Sequence, residues 1–306
     1  MTAALRPPRL RAGARVALVS PAGPITEERL ACALAQCETL GIEPVVARSA
    51  LRRHGYLAGP DDERAADFQQ AVDDPSIDAI WALRGGYGTM RLLGTLDLTP
   101  LLRRPKAFVG FSDNTALHLA LGRAGLASFH GSHAGGAFPT FTECCFRSVL
   151  FQPAPAGRLP LPPPASRMAT IVGGTAEGAL IGGNLSMLAA ASGTPFGLEA
   201  RGRILVIEDV GEATYRVDRA LMQLKLAGGL EGIAGIVLGQ FTEHQSKEQD
   251  FPLAPMLAEM TAALGAPCVA GAPVGHVDDN WCIPLGVRAR LDADAGTLDI
   301  IEPAVT

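Results

Sequence analysis

Short apolar runs alternate with stretches of helical period through the first half of this chain, and that alternation limits its fold more than any other feature. ARVALVSPAG (residues 14–23) reads as a buried strand ending in a Pro/Gly turn, and TEERLACALAQCETLG (26–41) as a helix closed by Gly41. EPVVARSA is a second strand, and DDERAADFQQAVDDP a second helix with Asp61 or Asp62 near its N-cap. AIWALRGG and KAFVGFSD supply a third and a fourth strand, and NTALHLALGRAG a helix that ends at Gly125. Strands joined through helices run parallel, so the pattern predicts an α/β fold built on a mainly parallel sheet.

The proline-rich residues 151–175 break this pattern and read as an extended inter-domain linker, with a boundary near residue 165. Beyond it, RILVIEDV (203–210), GIAGIVLGQ (232–240) and RARLDADAGTLDIIEP (288–303) are strand candidates. Between the first two, Val217, Ala220, Leu221 and Leu224 share one helix face. A hydrophobic fraction of 48% in 306 residues is ample for a core, and a net charge of −5 argues against nucleic acid or an anionic membrane as the main partner. The six cysteines show no CxxC pair, which predicts free thiols rather than a disulfide framework or a structural zinc. The opening residues hold no apolar stretch of signal-peptide length, and no run of about 18 apolar residues occurs, so a cytoplasmic protein is expected.

Chemistry is concentrated at a few turns. In VGFSDNTALHLAL a strand runs into Gly110, Ser112 sits at the turn, and a helix begins at about Asn114. A serine placed there lies over a helix N-terminus, where free N–H groups favour a developing oxyanion. Ser112 or Asp113 acting only as an N-cap is an equal alternative. The segment departs from the G-x-S-x-G elbow by carrying Asn114 in place of the last glycine. LRGGYGTMRLL (83–93) places Gly85, Gly86 and Gly88 after a strand, but lacks the G-x-G-x-x-G spacing of a dinucleotide site. Beside a nucleophile, such a loop can supply one oxyanion donor while the Asp113 N–H supplies the other.

A nucleophilic serine needs a base, and the base needs an orienting acid. His118 falls inside the helix after Ser112 and is expected to pack, while His54 and His244 lie in polar, loop-like contexts. His130 and His133 in FHGSHAGG compete with His276 in GAPVGHVDDNWCIPLG, and spacing leaves His133 and His276 both open as the base. Glu208 and Asp209 end the apolar run ILVI, so both are acid candidates. Asp278 and Asp279 follow His276 too closely to orient its ring.

Together, RGGYGTMRLL, GFSDNTAL, EGALIGGNLSML followed by GTPF, ILVIEDVGEATYRVDRALMQL, VLGQF and PVGHVDDNWCIPLG resemble the LD-carboxypeptidases, the muramoyltetrapeptide carboxypeptidases. The motifs span residues 83–286 in the family's order, and VALVSPAG extends the match to the first strand. The resemblance implies Ser112 as nucleophile, Glu208 as acid and His276 as base, with the Asp113 and Gly86 amides as oxyanion donors. It further implies a Rossmann-like N-terminal domain (1–165), a smaller β/α C-terminal domain (166–306), a site at their interface and a homodimer. Neither cofactor nor metal is expected. The implied substrate is a murein tetrapeptide that loses its terminal D-alanine during cell-wall recycling. A subset of the family instead hydrolyses microcin C-type aminoacyl-nucleotide antibiotics, and a non-catalytic peptide- or nucleotide-binding protein is a rival of another class. Arg84, Tyr87 and Asn184 are candidate substrate contacts, Arg84 for a free carboxylate or else as a structural ion-pair partner. FHGSHAGGAF and FTEHQSKEQD are expected to shape substrate choice.

Overall fold

The computed structural model describes residues 3–244 and 251–306. The first half lays down β1 (Arg15–Val19), α1 (Glu27–Leu40), β2 (Glu43–Val46), α2 (Asp61–Asp73), β3 (Ala79–Ala82), α3 (Thr99–Arg103), β4 (Ala107–Gly110), α4 (Thr115–Arg123), β5 (Ser128–His130) and α5 (Thr140–Leu150). Thr26 starts α1 by accepting from the Arg29 N–H, and Gly41 stops it at φ 71°.

β1 to β5 form a parallel sheet in the order β5-β4-β3-β1-β2. Alternate strand residues go to opposite faces. Val16, Leu18, Trp81 and Val109 pack with Cys37 of α1 and Phe146 of α5, while Val19, Ile80 and Phe108 pack with Phe68 of α2 and Leu121 of α4. Helices therefore cover both faces, which explains why β1, β3 and β4 read as continuous apolar runs. The order reverses between β1 and β3, so the loops after their carboxyl ends part there and leave a crevice.

The second half contributes β6 (Pro155–Arg158), β7 (Ala169–Val172), β8 (Thr175–Asn184), α6 (Leu185–Ala190), β9 (Arg203–Val210), α7 (Thr214–Leu226), β10 (Gly235–Thr242), α8 (Leu253–Ala262), β11 (Cys268–Ala270), β12 (Ile283–Leu285), β13 (Arg288–Asp292) and β14 (Thr297–Pro303). Its sheet runs β6-β14-β13-β8-β9-β10-β11-β7, with β8 to β11 parallel. α6, α7 and α8 cover one face through Leu188, Leu221 and Met256. The other face enters the same hydrophobic cluster as Trp81 and Phe146, so the two halves share a core.

Three features differ from the sequence reading. The proline-rich segment is more than a linker, because it supplies both edge strands of the second sheet, where a missing N–H is tolerated. Residues 288–303 form two antiparallel strands that turn at Gly296. β12 returns to the first sheet and pairs antiparallel with β5, Ile283 opposite His130. A single cut near residue 165 therefore does not follow sheet membership: β6 precedes it and β12 follows it. All six cysteines are free thiols, and among the described residues no helix is long and apolar enough to cross a membrane.

Trp281 leads into β12, is fully buried, and donates its indole N–H to the Pro160 carbonyl at 2.5 Å. Trp281→Ala should empty that space and cost about 3–5 kcal/mol. Denaturant unfolding monitored by circular dichroism checks this, and a loss under about 1 kcal/mol would show that β12 is not anchored by this residue.

Candidate active site

The site is built at the carboxyl ends of the first sheet. After β4 the chain turns through Ser112, which has φ 60°, a left-handed conformation that a β-carbon makes costly. A short 3-10 turn over Ser112–Asn114 then feeds α4. Side chains on either side hold the strain. The buried Asp113 carboxylate accepts the Thr89 backbone N–H at 2.8 Å and also the Thr89 hydroxyl. Asn114, fully buried, donates through Nδ2 to Phe111 O at 3.1 Å and Arg84 O at 3.3 Å. The departure from G-x-S-x-G thus has a physical account. The asparagine turns inward as a brace, and Gly110 makes room for it, since a Cβ there would lie 3.1 Å from that of Asn114.

The glycine loop closes on the serine from β3. A Cβ on Gly85 would lie 2.8 Å from Ser112 Cβ and 3.0 Å from its Oγ, so only glycine fits. The Gly85 carbonyl accepts from the Gly23 N–H at 2.9 Å. In a planar trans peptide this turns the Gly86 N–H the opposite way, away from Gly23.

The second half supplies an acid and an imidazole. Glu208 ends the apolar stretch of β9, fully buried, and its Oε2 accepts the His276 Nδ1–H at 2.8 Å. Burial pushes its pKa up, and the hydrogen bond from His276 opposes that rise. Gly275 (φ 123°) lets the two meet, for a Cβ there would sit 2.7 Å from Oε2. With Nδ1–H given to Glu208, Nε2 is the ring nitrogen left to accept a proton. The ring tilts against Phe111, beside Ser112, at 4.8 Å between centroids. The His276 loop is latched to the first half. Thr142 of α5 donates to Asp278 O at 2.6 Å and accepts from the Asn280 N–H at 2.8 Å, while Asn280 Nδ2 donates to Gly275 O at 2.9 Å.

Ser112, His276, Gly86, Arg29 and Arg84 line one cavity of about 450 Å³. A larger cavity, about 570 Å³ between α4 and β8, holds neither Ser112 nor His276. His133 touches the first cavity but stands in another state from His276. It stacks on Phe111 at 4.2 Å, its Nε2 lies 3.0 Å from Asn114 Nδ2, and burial, reinforced by Arg29, pushes its pKa well below the usual histidine range. No carboxylate accompanies it among the described residues. His118 packs as the sequence suggests, bonded to Gly110 O and Ser128 Oγ, with burial pushing its pKa down to about 4. His130 is buried beside it.

Of the candidate substrate contacts, Arg84 reaches the cavity wall and has no carboxylate within 4.0 Å among the described residues. Tyr87 is exposed, edge-on to Tyr56 at 5.5 Å, and is not part of the wall. Asn184 is a buried helix cap whose Nδ2 donates to Asp209 at 2.9 Å and whose Oδ1 accepts from Met187 N–H, so its amide is committed within the protein. Sequence reasoning missed Arg29, whose only signal was its place in the first turn of α1. Of the two specificity segments, Ser132, His133, Gly136 and Ala137 of the first line the cavity. In the second, residues 245–250 lie outside the described residues. Among the described residues no cluster of three or more His, Cys, Asp or Glu is placed to hold a metal ion.

The arrangement suits acyl transfer: a hydroxyl on a strained turn, an imidazole and a buried carboxylate that orients its ring. It also has a stability signature. A carboxyl whose folded pKa lies above its unfolded value adds no cost below the ordinary carboxylate range and destabilises as pH rises through the raised value. Glu208→Gln should therefore melt at or above the wild-type temperature near neutral pH, the gap closing below about pH 4. Scanning calorimetry across that range checks this, and a variant several degrees less stable near neutrality would contradict it.

Comparisons with known proteins bear on the family and the fold. Residues 16–131 match the LD-carboxypeptidase N-terminal domain model and residues 177–291 the C-terminal domain model. A murein tetrapeptide carboxypeptidase of Pseudomonas aeruginosa is 38% identical over 287 residues, 92% of this chain and 94% of that protein. The muramoyltetrapeptide carboxypeptidase of Oxalobacter formigenes superposes with a TM-score of 0.83 at 33% identity, covering 94% of this chain and 99% of that one. MccF, solved in complex with glutamyl sulfamoyl guanosine, superposes with a TM-score of 0.90 at 25% identity, covering 99% and 100%. The chain belongs to the LD-carboxypeptidase family of peptidases.

Proposed function

We propose that this protein is a serine LD-carboxypeptidase that releases the terminal D-alanine of murein tetrapeptides, with Ser112, Glu208 and His276 as its triad. The observation that carries the reading is the 2.8 Å bond from His276 to the buried Glu208, at the cavity that also holds the strained Ser112. Nothing in binding alone requires a buried carboxylate to orient an imidazole beside a hydroxyl, which disfavours a non-catalytic role.

His276 Nε2 takes the proton of Ser112 Oγ as the oxygen attacks the carbonyl of the L-configured residue. Glu208 holds the ring in that tautomer and stabilises the imidazolium. The Asp113 and Gly86 amides receive the oxyanion. Collapse breaks the C–N bond, His276 returns the proton to the leaving amine, and water then hydrolyses the acyl-Ser112 ester by the same base. Murein peptide as substrate is supported by the name of the Pseudomonas relative. Recycling of such peptides in the cytoplasm by a homodimer completes the proposal. The likeness to MccF supports a second reading, cleavage of an aminoacyl-nucleotide amide by the same triad.

Mass spectrometry of purified protein incubated with L-Ala-γ-D-Glu-meso-diaminopimelate-D-Ala should show loss of D-alanine. Ser112→Ala should slow it by at least about 1000-fold while the fold persists. Full turnover by Ser112→Ala would overturn the triad. No release of D-alanine, with an aminoacyl sulfamoyl adenylate cleaved instead, would favour the second reading.

A further inference from the structure

Two guanidinium groups stand in the wall of the Ser112–His276 cavity, and neither has a counter-ion among the described residues. Arg29 comes from the first turn of α1 and Arg84 from the loop after β3. Each is fixed by one backbone carbonyl of the other's neighbourhood: Arg29 Nε donates to Leu83 O at 2.9 Å, and Arg84 Nη1 to Pro24 O at 2.8 Å. Among the described residues the remaining N–H groups have no protein acceptor, and no carboxylate lies within 4.0 Å of either side chain. Asp278, the only acid in the wall among the described residues, pairs with neither.

The rest of the wall is shaped around Arg29. Gly135, at φ 75°, passes so close that a Cβ would lie 2.9 Å from Arg29 Cγ, and one on Gly136 would lie 3.4 Å from Nη2. Partial burial of Arg29, with the like charge of Arg84 next in effect, lowers its pKa, so the unliganded protein carries an electrostatic cost here that an anion would remove. A planar guanidinium offers paired N–H donors that match a carboxylate.

We propose that Arg29 and Arg84 together seat the free α-carboxylate of the residue that leaves, with Arg29 as the residue that restricts cleavage to the peptide's end. The assignment rests on the peptidase reading above, which supplies the carboxylate. An internal peptide bond presents a neutral amide at this position and leaves both cations unneutralised, so the pair selects by penalty as well as by attraction.

Calorimetric titration of the tetrapeptide and of its C-terminal carboxamide into Ser112→Ala protein tests this without turnover. The acid should bind about 100-fold more tightly than the amide. Adding Arg29→Gln and Arg84→Gln should bring that ratio to within about threefold of unity, with weaker binding of the acid and no weakening of the amide. A ratio that survives both substitutions, or acid and amide that bind Ser112→Ala alike or not at all, overturns the proposal. If the triple variant does not fold, Arg29→Lys in the Ser112→Ala background keeps the charge but loses the fork. It should reduce the ratio about tenfold, and no reduction overturns the proposal. The peptidase reading fails separately, in the turnover assay, if wild-type protein leaves the tetrapeptide intact or Ser112→Ala cleaves it as fast.

Discussion

The left-handed turn at Ser112 is the constraint around which the first half is arranged. A serine at φ 60° costs of order 1–3 kcal/mol and persists only when its neighbours leave no alternative. Here they do so from both sides. Asp113 is tied to Thr89, Asn114 to the Phe111 and Arg84 carbonyls, and Gly85 and Gly110 give up side chains so that the braces fit. The same contacts hold the glycine loop against the serine. Strain at the serine and placement of the Gly86 amide therefore have one structural cause.

The second half meets this turn with a group that is expensive to bury. Glu208 has lost its water, and among the described residues its Oε1 has no hydrogen-bond partner, so the bond to His276 carries most of its compensation. Gly239 and Gly275 leave room for that bond, and the Thr142–Asn280 contacts carry the His276 loop back to α5. With a shared hydrophobic core and β12 crossing into the first sheet, the two halves are fixed to one another at the site. The fold spends stability at Ser112 and Glu208 and recovers it in the packing between halves.

Much of this was legible in the sequence, for definable reasons. β1, β3 and β4 are buried on both faces, so their apolar runs are unbroken. The turns after β3 and β4 carry the glycines and the serine that line the cavity. Non-local features were hidden. Nothing in the composition of residues 155–158 or 169–172 shows that they close opposite edges of one sheet, nor that Ile283–Leu285 leaves its own half to pair with β5. His133 and His276 both follow short strands in glycine-rich company. They separate only when Glu208, 68 residues before His276, is seen against one ring and Phe111 and Asn114 against the other. Arg29 was hidden because helical period reports which face is buried and not what a long side chain reaches across a crevice.

The most direct test of the central claim, that the strained Ser112 is an activated nucleophile, is intact-mass and peptide-mapping analysis after exposure to a serine-directed fluorophosphonate. The expected result is one adduct, located on Ser112 and lost when His276 is replaced by alanine. No adduct, or one on another serine while Ser112 stays unmodified, would contradict the account.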